Sequence, residues 1–226
     1  MTDASPVTVI GAGGFGREAL DVALSCGRPV HGVVDDTPTG TSLKKLERLG
    51  IPYLGGMSDW LPRARGRSFV VAVGAPAVRA RLGRAAVRAG ATATSLIHPT
   101  ASIGSLVTIA AGAVVCANAT VGSNTRAGRH LHVNPGAVIG HDVELGHHVS
   151  VNPRSALSGD VIVGDRALIG AGAVVLRGLS IGHDAVVGAA AAVTHDVPPG
   201  TTVVGVPARA LVHTPPRRHT IPSGAS

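Results

Sequence analysis

Two places in this sequence bring together residue types that do chemistry. The first is His141, followed at once by Asp142. A carboxylate beside an imidazole orients the ring and favours its protonated form, which suits a general base. Gly159 lies 18 residues on, and a bare backbone there lets an acyl group come close. The second is the run Gly11, Gly13, Gly16, between an apolar stretch from Val7 to Ile10 and a helical pattern. Backbone N–H groups in such a loop, with the helix N-terminus, receive a phosphate or another anion. Asp35 and Asp36 end the next apolar stretch, where an acid bonds ribose hydroxyls in dinucleotide folds. Three readings of this loop stay open: a nicotinamide site, a site for another nucleotide such as a nucleotide-sugar, and a tight structural turn. The nicotinamide reading fits poorly, because the region ahead of residue 90 shows three strands and nothing downstream resembles a hydride-transfer domain. Gly74 ends the third strand on the same sheet edge.

The other reactive residue types give weaker signals. His130, His132, His147, His148, His183 and His195 fall in the same half as His141. A narrow coil has no deep interior for imidazole, so they are expected to point outward or to sit at corners. His147 and His148 raise a zinc hydratase reading, but no second ligand set accompanies them. Cys26 and Cys116 lack metal spacing and read as unreactive thiols in a reducing cytoplasm.

The element that must carry His141 is a six-residue repeat. Its heads run from Ile97, Ile103, Ile109, Val115 and Val121 through Ile139, Leu145, Val151 and Leu157 to Val193, without insertion or deletion. Among these heads only Ala127 is not a branched aliphatic residue. The position two before each head is small or aliphatic, and residues two apart share one face of a strand. Gly or Asn commonly follows the head, as at Gly104, Gly122, Asn134, Gly140 and Gly188, and is read as the turning residue. A strand and a turn every six residues describe a hexapeptide β-helix, with three blocks to a triangular coil. In that register Gly159 stacks directly beside His141.

Ahead of the repeat, strand patterns at Val7 to Ile10, Val30 to Val34 and Phe69 to Val73 alternate with helical ones at Arg17 to Ser25, Leu43 to Leu49 and Ala77 to Ala89. That alternation predicts a parallel α/β sheet. The expected division is an α/β nucleotide-binding domain over 1–90, a β-helix over 91–211 and a disordered tail over 212–226. The sequence is 45% hydrophobic with one Trp, one Tyr and two Phe, as a thin prism filled with aliphatic side chains requires. No apolar run is long enough to span a membrane, and no signal peptide opens the chain. The formal charge of +7 does not point to nucleic acid, because the basic residues neither interleave with aromatics nor form a recognition helix. A basic surface favours small polyanions such as nucleotides and coenzyme A.

Several motifs occur in a fixed order. They are Gly11 to Glu18, the Asp35–Asp36 strand end, Val71 to Gly74, the prism with His141–Asp142, and the close Gly205, Val206, Pro207, Ala208. In this order they resemble a family of bacterial sugar acetyltransferases. It includes the sialic acid O-acetyltransferases and the N-acetyltransferases of UDP-4-amino-sugars. The resemblance covers roughly residues 7–211. It implies a left-handed β-helix, a homotrimer with active sites between neighbouring prisms, and an acetyl-CoA donor without a metal. It implies that Gly13, Gly14, Phe15, Asp35, Asp36 and Gly74 contact a nucleotide-sugar, that His141 is the base, and that Asp142 supports it. Acetyl-CoA would lie along the backbone near Gly159, Ala171 and Ala189. Two departures stand out. Where the family often has a histidine nine residues after the base, this chain has Ser150, expected to donate to the thioester carbonyl. A glycine soon after is Arg154. The rival readings are a sugar O-acetyltransferase and a non-catalytic nucleotide-binding scaffold trimer.

Overall fold

The computed structural model describes residues 5–211; the tail expected to be disordered, 212–226, lies outside the described residues. The α/β half begins with β1 (Val7–Ile10), α1 (Gly14–Ser25), β2 (Val30–Val34) and α2 (Gly40–Arg48). It continues with α3 (Met57–Trp60), β3 (Ser68–Val71), α4 (Pro76–Arg88) and β4 (Thr92–Ala93). The parallel sheet has the order β2-β1-β3-β4. The short helix α3 and the two-residue β4 carry too little periodicity to be seen in sequence. Among the described residues, no helix is long and apolar enough to cross a membrane.

From Leu96 on the chain is a parallel β-solenoid of about six turns, of the left-handed β-helix type. Each block contributes a two-residue strand, and strands 18 residues apart pair in register, as Val138 and Ile139 do with Ala156 and Leu157. The heads and the residues two before them fill one continuous core, including Leu131, Val133, Ala137, Ile139, Val143 and Leu145.

The expected role of the glycine after each head is corrected by the backbone. The turn is made three residues after the head, where Asn124, His130, Asp142, His148, Arg154 and Asp160 all take φ between 56° and 60°. The glycine after the head instead permits close stacking. A Cβ on Gly122 would lie 2.5 Å from the carbonyl carbon of Gly140, and one on Gly140 would lie 2.8 Å from the Gly159 nitrogen. A side chain does not fit at such distances, so at Gly122 and Gly140 the neighbouring coil admits only glycine.

The left-handed residues form three columns, one per corner of the triangle. One column carries Asn124, Asp142 and Asp160; a second carries His130, His148 and Arg166; a third carries Asn118, Arg154 and Ala190. The face between the third and second columns, with strands at Leu96–Ile97, Val114–Val115, His132–Val133 and Ser150–Val151, receives the α/β half. Helix α1 packs Leu20 and Ala23 against Leu96, Val114 and Cys116 there. The expectation of outward, solvated histidines fails on this face. His132 is buried, its Nε2 is 2.8 Å from the Val71 carbonyl oxygen, and its ring stacks on Phe15 at 4.2 Å. His130 is buried and stacks on His148 with ring centroids 5.0 Å apart.

Arg79 of α4 joins the two halves. It is fully buried and reaches the carbonyls of Val73, Gly74, His130 and Val149 at 2.8, 3.2, 3.0 and 3.2 Å, and that of His148 at 2.5 Å. A guanidinium suits such a place because its forked donors meet several acceptors at once. Burial still lowers its pKa to about 9.

Burial, then the nearby Arg79 and Arg129 cations, holds His130 down at about 4. Burial and the His130, Arg79, His147 and Arg84 charges hold His148 at about 4 as well. An imidazole in an unfolded chain titrates near ~6.5. The unfolded chain therefore binds more protons between these values, so stability is full above ~6.5 and declines as pH falls toward 4. The urea midpoint is expected to be lower at pH 5 than at pH 7. A His130→Phe, His148→Phe double variant should lessen that dependence, leaving the part due to His132, which burial also holds below its ordinary value; an unchanged slope in the variant would refute the assignment.

Candidate active site

His141 sits at the first corner column, half exposed, between the strands Val138–Ile139 and Glu144–Leu145. Its Nδ1 lies 2.7 Å from Asp142 Oδ2, so the adjacent-residue bond left open by the sequence is made. The left-handed φ of 58° at Asp142 turns the carboxylate back toward the ring. With Nδ1–H donating to the carboxylate, Nε2 is left as the acceptor. The ring lies over Gly159 of the next coil, where a Cβ would collide with Nε2 and Cε1. Gly159 is buried, and its N–H donates to no acceptor among the described residues.

The columns bring in residues that the sequence reading missed. Asn124 stands one coil before Asp142, and its Nδ2 donates to Asp142 Oδ1 at 2.5 Å. The bond from Asn124, followed by the one from His141, lowers the Asp142 pKa. One coil after Asp142 stands Asp160, which Arg177 holds at 2.7 Å. His141, Asp142 and Asp160 offer ligand atoms within 4.8 Å of one another. Asp142 is bonded to Asn124 and His141, and Asp160 to Arg177. The missing signal was the 18-residue stride applied to Asn124 and Asp160 as it had been to Gly159.

His147 and His148 do not form a ligand pair. His147 Nδ1 accepts from the Arg129 N–H at 3.0 Å, and His148 stacks on His130. The cysteines offer no nucleophile either. Burial pushes the Cys116 thiol up to about 12, and Cys26 donates its thiol hydrogen to the Ile97 carbonyl.

The nucleotide candidates gather at the carboxyl ends of the sheet strands, where open α/β sheets bind ligands. Gly11, Asp35, Asp36, Thr37, Val73 and Arg81 line a cleft of about 360 Å³ there. Asp35 accepts from the Ala12 N–H at 2.7 Å and the Thr37 N–H at 2.8 Å, and so ties the glycine loop to β2. Asp36 accepts from the Met57 N–H at 2.7 Å. Gly13 and Gly14 are exposed at the start of α1, which no side chain caps, and nothing stands within 4 Å of where their Cβ atoms would be.

The remaining expected contacts lie as follows. Ser150 is not open to a thioester. It is 2% exposed, it receives Arg79 Nη2 at 2.9 Å, and its hydroxyl faces the Gly74 carbonyl at 3.4 Å. The Gly74 carbonyl is thereby held inside the interface between the two halves. Phe15 turns its ring onto His132 of its own prism. Ala171 and Ala189 are exposed and stack one coil apart, but beside the third corner column, across a prism face from His141 and Gly159.

Known proteins share this two-part fold. The family model described as the PglD N-terminal domain matches residues 6–85, and that described as the hexapeptide repeat of succinyl-transferase matches residues 160–195. The structure of PerB from Caulobacter crescentus in complex with CoA and GDP-perosamine is 34% identical, with a TM-score of 0.85, over 92% of this chain and 98% of that one. A histidine-to-asparagine variant of perosamine N-acetyltransferase from the same organism, with CoA and GDP-perosamine, is 34% identical at a TM-score of 0.84, over 92% and 97%. WeeI from Acinetobacter baumannii is 29% identical with a TM-score of 0.82, over 92% of this chain and 100% of that one. No match was found among curated proteins.

Asn124→Ala removes one of the two bonds that hold the Asp142 carboxylate. Turnover is expected to fall about tenfold or more while the urea midpoint stays near that of the unaltered chain, because Asn124 is exposed. Rates that match those of the unaltered protein across pH 6 to 9 would show that Asn124 plays no part.

Proposed function

The chain belongs to the sugar acetyltransferases that join a PglD-type N-terminal domain to a hexapeptide prism, and we propose that it acetylates the amino group of a nucleotide-linked amino-sugar. The donor is acetyl-CoA, in line with the CoA held by the perosamine N-acetyltransferase structures and the acetyl-CoA held by the PglB acetyltransferase domain of Neisseria gonorrhoeae. The carrying observation is the His141–Asp142 pair poised over the bare backbone of Gly159.

In this mechanism His141 Nε2 takes a proton from the acceptor amine as its nitrogen attacks the thioester carbonyl. The Asp142 carboxylate, fixed by Asn124, keeps Nδ1 protonated and stabilises the imidazolium that forms. The oxyanion of the tetrahedral intermediate finds a donor in the free N–H of Gly159. Collapse breaks the C–S bond, and the imidazolium returns its proton to the departing thiolate. No acyl-enzyme is needed. The acceptor nitrogen must be neutral to attack, so the rate rises with pH before it levels off.

The nucleotide portion is assigned to the cleft of Gly11, Asp35, Asp36 and Arg81, with the exposed start of α1 at Gly13 and Gly14 beside it. Acetyl-CoA is assigned to the backbone near Gly159, Ala171 and Ala189. The placement of these groups supports a homotrimer. His141 is at the corner opposite the face that carries its own α/β half, and Ala171 and Ala189 are at a different corner. One chain therefore does not gather acceptor, base and donor, whereas prisms packed side by side do. The face between the third and first corner columns presents Val138, Ala156, Val174 and Ala192 outward, a small uncharged surface suited to that packing.

A thiol-release assay tests this reading, with acetyl-CoA and 4-amino-sugars linked to GDP, UDP or dTDP, and free sialic acid as the hydroxyl control. Release with at least one amino-sugar, an N-acetyl product by mass spectrometry, and a loss of about 10²-fold or more in His141→Ala are expected. Near-native turnover of His141→Ala would sink the base assignment; release with sialic acid alone would replace the amine by a hydroxyl. Light scattering should report three chains per particle, and a monomer with full activity would overturn the between-chain site.

A further inference from the structure

We propose that the groove between α4 and the second corner column binds a small phosphate ester, at a site separate from the nucleotide cleft and independent of acetyl transfer. Arg84, Val87 and Arg88 of α4 line one side of this groove of about 540 Å³, and Arg129, His130 and His148 of the prism line the other.

Four observations converge. The guanidiniums of Arg84, Arg88 and Arg129 make no hydrogen bond and no ion pair among the described residues, unlike those of Arg126, Arg166 and Arg177, which pair with carboxylates. No carboxylate lines the groove. His130 is 5% exposed, and its Nδ1 and that of His148 are buried without a partner. Val87 is 53% exposed, an apolar side chain left open among cations.

A multivalent oxyanion answers each of these. Guanidinium forks bind phosphate oxygens two at a time. Burial and positive neighbours hold the imidazoles neutral, and an arriving dianion offsets the repulsion and favours their protonation. Val87 gives an apolar or ring-bearing remainder a surface to lie on, which inorganic phosphate leaves bare. The enclosure between helix and prism, with no aromatic side chain to stack a base, fits a small molecule rather than a nucleic-acid strand. Helix α4 reaches both sites: Arg81 faces the nucleotide cleft and Arg84 faces this groove.

Calorimetric titration of the full chain with phenyl phosphate and with inorganic phosphate tests the site. Phenyl phosphate is expected to bind saturably and more tightly than inorganic phosphate, and more weakly as salt is raised. An Arg88→Glu, Arg129→Glu double variant should lose at least tenfold in that affinity with an unchanged urea midpoint and unchanged acetyl transfer. Asp36→Ala should bind phenyl phosphate as the unaltered chain does. Imidazole resonances of His130 and His148 should move on addition of phenyl phosphate to the unaltered chain alone. Absence of saturable binding, affinity that survives the double substitution, affinity lost in Asp36→Ala, or unmoved imidazole resonances would each overturn the assignment.

Discussion

Where a glycine follows a block head, successive coils of the prism approach so closely that nothing larger than a hydrogen fits between them. Gly122 faces the Gly140 carbonyl and Gly140 faces the Gly159 nitrogen. This closeness lets each coil donate to the next, as the Gly122 N–H does to the Ile139 carbonyl at 2.8 Å. It also locks the columns, because a residue can only stand over the one 18 positions away. The His141 site is built from that lock. The imidazole takes its floor from Gly159, and its carboxylate partner takes a second bond from Asn124. Neither neighbour is close in sequence, and neither needs a loop to reach its place. Sites on regular elements hold their geometry better than sites on loops, and here every member belongs to the repeat.

The second dependence is the seat of the α/β half on the prism. Arg79 bonds almost wholly to main-chain carbonyls, on both sides of the junction. It ties the end of β3, which leads to the cleft of Asp35 and Asp36, to the second corner of the solenoid. His132 adds a bond to Val71 and a stack on Phe15. The cleft at the sheet edge is thus fixed relative to the prism, although His141 stands on the far corner of that prism.

How legible this was depended on whether the information was periodic. The repeat, the core heads, the α/β alternation and the overlay of His141 on Gly159 follow from spacing, and the structure has them. The docking contacts do not follow from spacing. Outward positions of a solenoid look alike in sequence whether solvent or a domain covers them, so His130, His132 and His148 read as solvated and Ser150 as open to a ligand. Arg79 sat among many helix arginines, and only the packing distinguishes it from Arg81 or Arg84. The glycines after the heads were found, but their reason was assigned to local turning, whereas it lies in the next coil. A single chain has no way to show that reason until its coils are stacked.

The three columns of left-handed residues have a consequence for how such a chain can change length. A one-residue insertion between Ile97 and Val193 would rotate every later side chain off its column and part Asn124 from Asp142 or His141 from Gly159. A whole added coil preserves every angle and only moves the parts along the axis, by roughly 4.8 Å. Length in this half of the protein is therefore quantised. Variants that move His141 relative to the docked domain can differ by entire turns, while excursions of other sizes must bulge out at a corner and leave the stack untouched.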